Sequence, residues 1–175
     1  DAKRTGVFIG GRDAILALLS RNADLARSVA TADEQLDAME IECDALCVRL
    51  LARRAPVGSD LRMVTAVLKL VTDLERIGDL AVNVVKRAEL TQAIGPLPAE
   101  VADLARSVVN QLGLSLSALK ARDACQARRL RAEDQSTDAR NRAAFDRLIE
   151  IAHDEKDKFD AVLALTNICR NLERI

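Results

Sequence analysis

Tryptophan and tyrosine are absent from this chain and phenylalanine occurs only three times, so the aromatic surfaces on which single-stranded nucleic-acid binders stack bases are largely missing. Proline is as scarce, at three residues, and glycine numbers seven. With so few turn formers, and with Ala, Leu, Arg, Glu and Asp dominant, the composition favours an all-helical fold over sheets. Neither charge sign is in excess: Lys plus Arg number 26 against 27 Asp plus Glu, a net charge of -1. Binding to nucleic acid or to anionic lipid therefore finds no support in the overall charge. No apolar run approaches the length needed to cross a bilayer.

The chemistry-bearing residues are equally sparse. The single histidine, His153, follows Ile149 and Glu150 near the end of a long helical stretch and reads as a helix-end surface group. No Glu-x-x-His pair of the di-iron bundle type occurs, and no glycine-rich phosphate loop, nucleophile elbow or paired base and nucleophile. Catalysis is not expected. The four cysteines, Cys43, Cys47, Cys125 and Cys169, include no CxxC and have no nearby histidine to complete a zinc site. Cys43 and Cys47 sit one turn apart on an apolar face, as small buried hydrophobes in a reducing compartment do. There is no signal peptide at Asp1, and the opening DAKRTGVFIG does not read as a natural start, so the chain is expected to be trimmed at its front.

What remains is 175 residues, 49% apolar and 30% charged, enough for one domain or two small ones with a real core. A first helix ends near Leu19, its beginning weakened by Gly6, Gly10 and Gly11. A second runs to about Arg54 on a stripe of Leu25, Val29, Ala32, Leu36, Met39, Cys43, Leu46 and Leu50. Pro56 and Gly58 break the chain, and Asp60 is placed to cap a third helix, which fades near Thr91. Gly95, Pro96 and Pro98 mark the midpoint. A fourth helix covers about Ala99 to Ala121, a fifth about Asp123 to Lys156, and a sixth runs from near Asp157 to the last residue.

The third helix organises the rest. Val64, Val67, Val71, Leu74, Gly78, Ala81 and Val85 recur at intervals of three and four and form one stripe. Glu75 and Asp79 fall on its shoulder, one turn apart, while Arg62, Lys69, Asp73 and Arg76 take the solvated side. Gly78 stands between the two acids at a cost of about 1 kcal/mol relative to Ala, which points to a close neighbour there. On the second helix Asp33, Asp37, Glu40 and Asp44 make a ladder within about 60° of one another, and no Lys or Arg lies between Thr31 and Val48 to offset them.

The second half repeats the first. Shifted by 101 residues, Ala23, Ala26, Arg27, Asp33 and Asp37 meet Ala124, Ala127, Arg128, Asp134 and Asp138; shifted by 98, LERI at Leu74 to Ile77 meets LERI at Leu172 to Ile175. The expected fold is a tandem repeat of two antiparallel three-helix bundles, residues 1–94 and 95–175, with chain missing at both ends. In each, a D-x-x-x-D helix lies near an acid-bearing partner helix. Carboxylates converging from two helices make an all-oxygen site suited to Mg, Ca or Mn, and able to hold iron or a multinuclear cluster; a bound cation would relieve their repulsion. The alternative is a solvated acidic face in which Glu75 pairs with Arg76 or Arg49.

The run from Asp60 to Asn83, with DLR at Asp60 to Arg62 and DLERIGD at Asp73 to Asp79, resembles the PhoU family of phosphate-uptake regulators, as do ARRAPVGSDLR at Ala52 to Arg62, the Asp33 and Asp37 pair and the second LERI. The resemblance covers almost the whole chain. It implies a first metal site of Asp33, Asp37, Glu75 and Asp79 and a second of Asp134, Asp138 and Glu173, holding an iron cluster, zinc, manganese or magnesium. It also implies a cytoplasmic homodimer that represses the phosphate-starvation response. Such a protein links the phosphate ABC transporter ATPase to a sensor histidine kinase, meets the membrane through those partners, and acts on no nucleic acid and as no enzyme. Two departures stand out: the chain stops at Ile175, before the expected Gly-Asp, and the counterparts of Glu40 and Asp44 are Asn141 and Phe145. The second site is therefore expected to be the weaker. An accessory domain of another ion transporter and a carboxylate-bridged metalloenzyme are the alternative functions.

Overall fold

A computed structural model describes residues 2–175, with side chains from Gly10 onward. The expectation about the missing front concerns chain outside this range. Six helices follow one another: α1 (Ala2–Ser20), α2 (Ala23–Arg54), α3 (Ser59–Ala88), α4 (Ala99–Ala121), α5 (Ala124–Asp154) and α6 (Phe159–Arg174), with 3-10 turns over Glu89–Ile94 and Lys156–Lys158 and no strand among the described residues. Helices α1, α2 and α3 pack on one another, as do α4, α5 and α6. The two three-helix bundles expected from the repeat are thus the architecture of the chain.

The bundles share one core. Ile15, Leu18 and Val84 from the first bundle belong to the same buried cluster as Val101, Leu104, Leu148, Leu165 and Leu172 from the second, because α3 lies along α6 and α1 along α4. Gly11 explains part of this closeness. A Cβ there would sit 2.8 Å from Cδ2 of Leu112, nearer than a real side chain comes. A side chain at Gly11 would require Leu112 to move, so the glycine eases the close seating of α1 on α4. Ala14, Ile15, Ala17 and Leu18 are buried one after another behind it, and this burial carries α1 through its weak glycines.

Helix ends differ from expectation in detail. Gly58, with φ of 59°, occupies the N-cap of α3, and no side chain caps the helix. Asp60 instead lies in the first turn, where its charge complements the helix dipole. Asp123 is the N-cap of α5 and not its first residue, and α5 ends at Asp154. On α2, Val29, Leu36 and Cys47 are buried, but Leu46 and Leu50, which share the apolar stripe, remain 46% and 47% exposed.

The repeat is written most clearly in its turns. Arg21 and Arg122 take the left-handed conformation, with φ of 53° and 54°. The next residue in each case caps the following helix: Asn22 accepts from the backbone N–H of Asp24 and Leu25, and Asp123 from those of Cys125 and Gln126. Each cap should contribute about 1 kcal/mol. Asn22→Ala and Asp123→Ala are expected to lower the urea midpoint separately and to add in the double variant, since the two turns lie in different bundles. An undiminished midpoint in either single variant would contradict this account.

Candidate metal centre

Two apolar seams set the geometry of the acidic face. Leu36 of α2 and Leu74 of α3 are buried together, flanked by Met39, Leu70 and Ile77, and this contact brings one flank of α2 against one flank of α3. The expected stripe of α3 is in place: Val71, Leu74, Gly78 and Ala81 are buried, and Val64, Val67 and Val85 half-buried. Glu75 is half-buried on the shoulder and Asp79 exposed beside it, while Arg62, Lys69, Asp73 and Arg76 face solvent.

Gly78 marks the closest point between the helices. A Cβ built on it would lie 2.7 Å from Oδ1 of Asp33 and 3.1 Å from Cδ1 of Leu36. The glycine thus makes room for a carboxylate of the neighbouring helix, the close neighbour its helix cost had pointed to. Around that contact the acids act on one another. Burial pushes the Asp33 carboxyl above its ordinary value, the charges of Asp37 and Asp79 push it further, Lys86 opposes them and Glu34 adds to the rise. Burial also raises Glu75, followed by the charges of Asp79 and Glu40, a hydrogen bond with Asp79, and the charge of Asp37. Both shifts have the sign expected of partly buried acids beside like charges.

The structure therefore gathers Asp33, Asp37, Glu75 and Asp79, the first set expected from the sequence, at one α2–α3 seam. It adds Glu40 to them, and it places Lys86, which the sequence reading did not use, close enough to affect Asp33. Lys86 follows Asp79 by seven residues, two helical turns on the same face, so its nearness was a signal within reach. Neither Arg49 nor Arg76 forms a salt bridge with Glu75 among the described residues. Among the described residues no group of three or more Asp, Glu, His or Cys side chains is placed to hold a metal ion.

The second set is arranged differently. Asp134 and Glu173 line one groove of about 840 Å³, whose walls include Leu112, Leu116 and Leu130 and which also takes Arg131 and Arg174. Asp138 does not line it, and all three acids are exposed. Asn141, the counterpart of Glu40, buries its Oδ1 without a hydrogen-bond partner. Beside it Thr137 donates to Oε1 of Gln111 at 2.9 Å, so the second bundle has neutral polar groups where the first has charge. His153 is exposed at the end of α5.

Known proteins share this fold. The PhoU domain matches the chain over residues 12–88 and 101–175. The phosphate-specific transport system accessory protein PhoU of Edwardsiella tarda is 34% identical over 165 residues, which are 93% of this chain and 68% of that protein. The PhoU homolog of Pseudomonas putida is 36% identical over 166 residues, 93% of this chain and 65% of that one. The chain thus spans about two thirds of the length of these relatives. The crystal structure of PhoU from Pseudomonas aeruginosa superposes with a TM-score of 0.92 at 34% identity, covering 99% of this chain and 84% of that one. The phosphate transport system regulatory protein PhoU from Streptococcus pneumoniae has the same fold, with a TM-score of 0.88 at 23% identity over 99% of this chain and 82% of that one.

The raised carboxyls have a measurable consequence. A carboxyl whose folded pKa lies above its unfolded value, near 4 for Asp and Glu, contributes stability that is fully present below the unfolded pKa and lost as pH rises through the folded one. Asp33 and Glu75 are of this kind. In chelator, Glu75→Gln is therefore expected to gain stability over the parent chain as pH rises from about 4, with urea unfolding as the measurement. A stability difference that does not change with pH would refute the electrostatic reading of the seam.

Proposed function

This chain belongs to the PhoU family, and we propose that it serves as an accessory regulator of phosphate uptake, working from the cytoplasm by binding other proteins rather than by catalysis. The observation that carries this reading is the α2–α3 acidic face, an organised cluster that sits beside the backbone of Gly78 and offers ligands instead of a nucleophile and base. On this proposal the chain contacts the phosphate ABC transporter through its ATPase, and the membrane sensor histidine kinase, and restrains the starvation response while phosphate is plentiful. The relatives named as phosphate-specific transport system accessory proteins support the transporter half of it.

A metal fits the first face by donor chemistry. Asp33, Asp37, Glu75 and Asp79 would supply only carboxylate oxygens, the set hard cations and iron prefer, and the missing side chain at Gly78 lets the Asp33 carboxylate lie against α3. Asp37 and Asp79 are exposed and free to turn onto an ion held by Asp33 and Glu75. A bound cation would offset the mutual repulsion and fix α2 against α3, giving partners a rigid surface. Asp134 and Glu173, with Asp138 outside their groove, are proposed as a weaker second position that keeps several waters on its ion.

Elemental analysis of protein purified without a metal-affinity step tests the site. The double substitution Glu75→Ala and Asp79→Ala is expected to remove most of the bound metal and to abolish any metal-dependent rise in melting temperature; unchanged metal content would show the ligands to be wrong. Pull-downs against the transporter ATPase and the sensor kinase test the regulatory role. Charge reversal at Arg62, Lys69 and Arg76, all exposed on α3, is expected to weaken at least one of them, and two intact interactions would exclude that face.

A further inference from the structure

One side of α2 turns away from the bundle it belongs to. Leu36 and Cys47 are buried on the inner side, and Ala45, which follows Leu36 by about two and a half turns, points the opposite way. On that outer side Ala38, Ile41, Ala45, Val48 and Ala52 recur at alternating intervals of three and four, and all are exposed, Ile41 to 71% and Val48 to 59%. Direction sets this exposure. Around Val29, which packs with Ala14 of α1, the same outer side carries Arg27, Ala30, Thr31 and Glu34, and these are exposed as well.

Apolar residues spaced by three and four are the pattern on which two helices seat along each other, and such a row left in water marks a contact surface. The row alternates alanine with a branched side chain. If two copies of α2 pair antiparallel about a two-fold axis near Leu46 and Cys47, Ile41 faces Ala52 of the second copy and Ala45 faces Val48, each contact occurring twice. Every branched side chain then meets an alanine. The same register sets Glu42 opposite Arg49 of the second copy, and Arg49 opposite Glu42. Both are exposed, neither has an opposite charge three or four residues away on its own helix, and neither forms a salt bridge among the described residues. A parallel pair loses both matches: it would set Ile41 on Ile41 and Ala45 on Ala45, and bring Glu42 beside Asp37 of the other copy.

We propose that the outer face of α2 is a homodimer surface on which two copies of this chain pair antiparallel, with Ile41 and Val48 seated on Ala52 and Ala45 and an ion pair of Glu42 with Arg49 at each end. The charges select the occupant. An anionic lipid surface or a nucleic acid would attract Arg49 and repel Glu42, whereas a second copy answers both. About four turns of mostly alanine make a smaller seam than the standard interface of about 1,600 Å², so the dimer is expected to be weak, forming in the micromolar range. Asp33 and Glu75 lie at the α2–α3 seam, away from this face, and the pairing therefore stands whether or not that seam holds a metal.

Sedimentation equilibrium in chelator, read by interference optics because the chain has no tryptophan or tyrosine, tests the pairing. The chain is expected to pass from dimer to monomer on dilution, and to associate more tightly at low salt. Ala45→Arg puts a bulky charge at the centre of the seam and should abolish the dimer with the helical circular dichroism unchanged. Glu42→Arg and Arg49→Glu should each weaken it roughly tenfold or more, since each turns both ion pairs into repulsions. Both substitutions in one chain, or an equimolar mixture of the two single variants, should restore it. A chain that stays monomeric at the highest concentration reached, which would leave the face to a different partner, a dimer indifferent to Ala45→Arg, or charge reversals that neither combination nor mixing rescues would each overturn the proposal.

Discussion

Asp33 rests against the backbone of α3 at Gly78, and the rest of the acidic face depends on that approach. No side chain larger than hydrogen fits there without displacing the carboxylate. What holds the helices at this separation is the apolar contact beside it, where Leu36 and Leu74 are almost fully buried. Two such leucines contribute on the order of 3–6 kcal/mol. A pair of like charges 4 Å apart near a surface costs on the order of 4 kcal/mol at most, and less where both are hydrated. Packing wins, and the acids are held near one another in a state that a cation would relieve. On the proposed reading, that is the physical sense in which a cation would suit this face.

The repeat shows which parts of the design are structural. The turns recur residue for residue, Arg21 and Asn22 in one half and Arg122 and Asp123 in the other, with the same left-handed residue and the same side-chain cap. The charge does not recur. Where α2 carries Glu40 and Asp44, α5 carries Asn141, with a buried and unmatched carbonyl oxygen, and Phe145, which packs against the common core. One bundle has kept its seam acidic while the other has turned part of it to packing.

Much of this was legible in the residues because spacing on a helix determines which side chains share a face. The stripe of α3, its acidic shoulder, its solvated basic side and the meaning of Gly78 follow from spacing alone. Spacing does not disclose which neighbours cover a stripe, so Leu46 and Leu50 read as core and are exposed. Nor does it show that α3 lies along α6, so that the two bundles share one core across the midpoint prolines. The start of α3 was misplaced because the N-cap is set by the backbone conformation at Gly58, and the favourable side chain of Asp60 pointed two residues too far.

Anomalous diffraction from crystals grown with a divalent cation, recorded at that metal's absorption edge, is the most direct measurement of the central claim, that the α2–α3 seam is a cation site. The account predicts a peak between the helices beside Gly78, with carboxylate oxygens of Asp33, Glu75 and Asp79 at about 2.0–2.6 Å and a weaker peak or none beside Asp134 and Glu173. A map with no peak at the seam, or with its strongest peak in the second bundle, would contradict it.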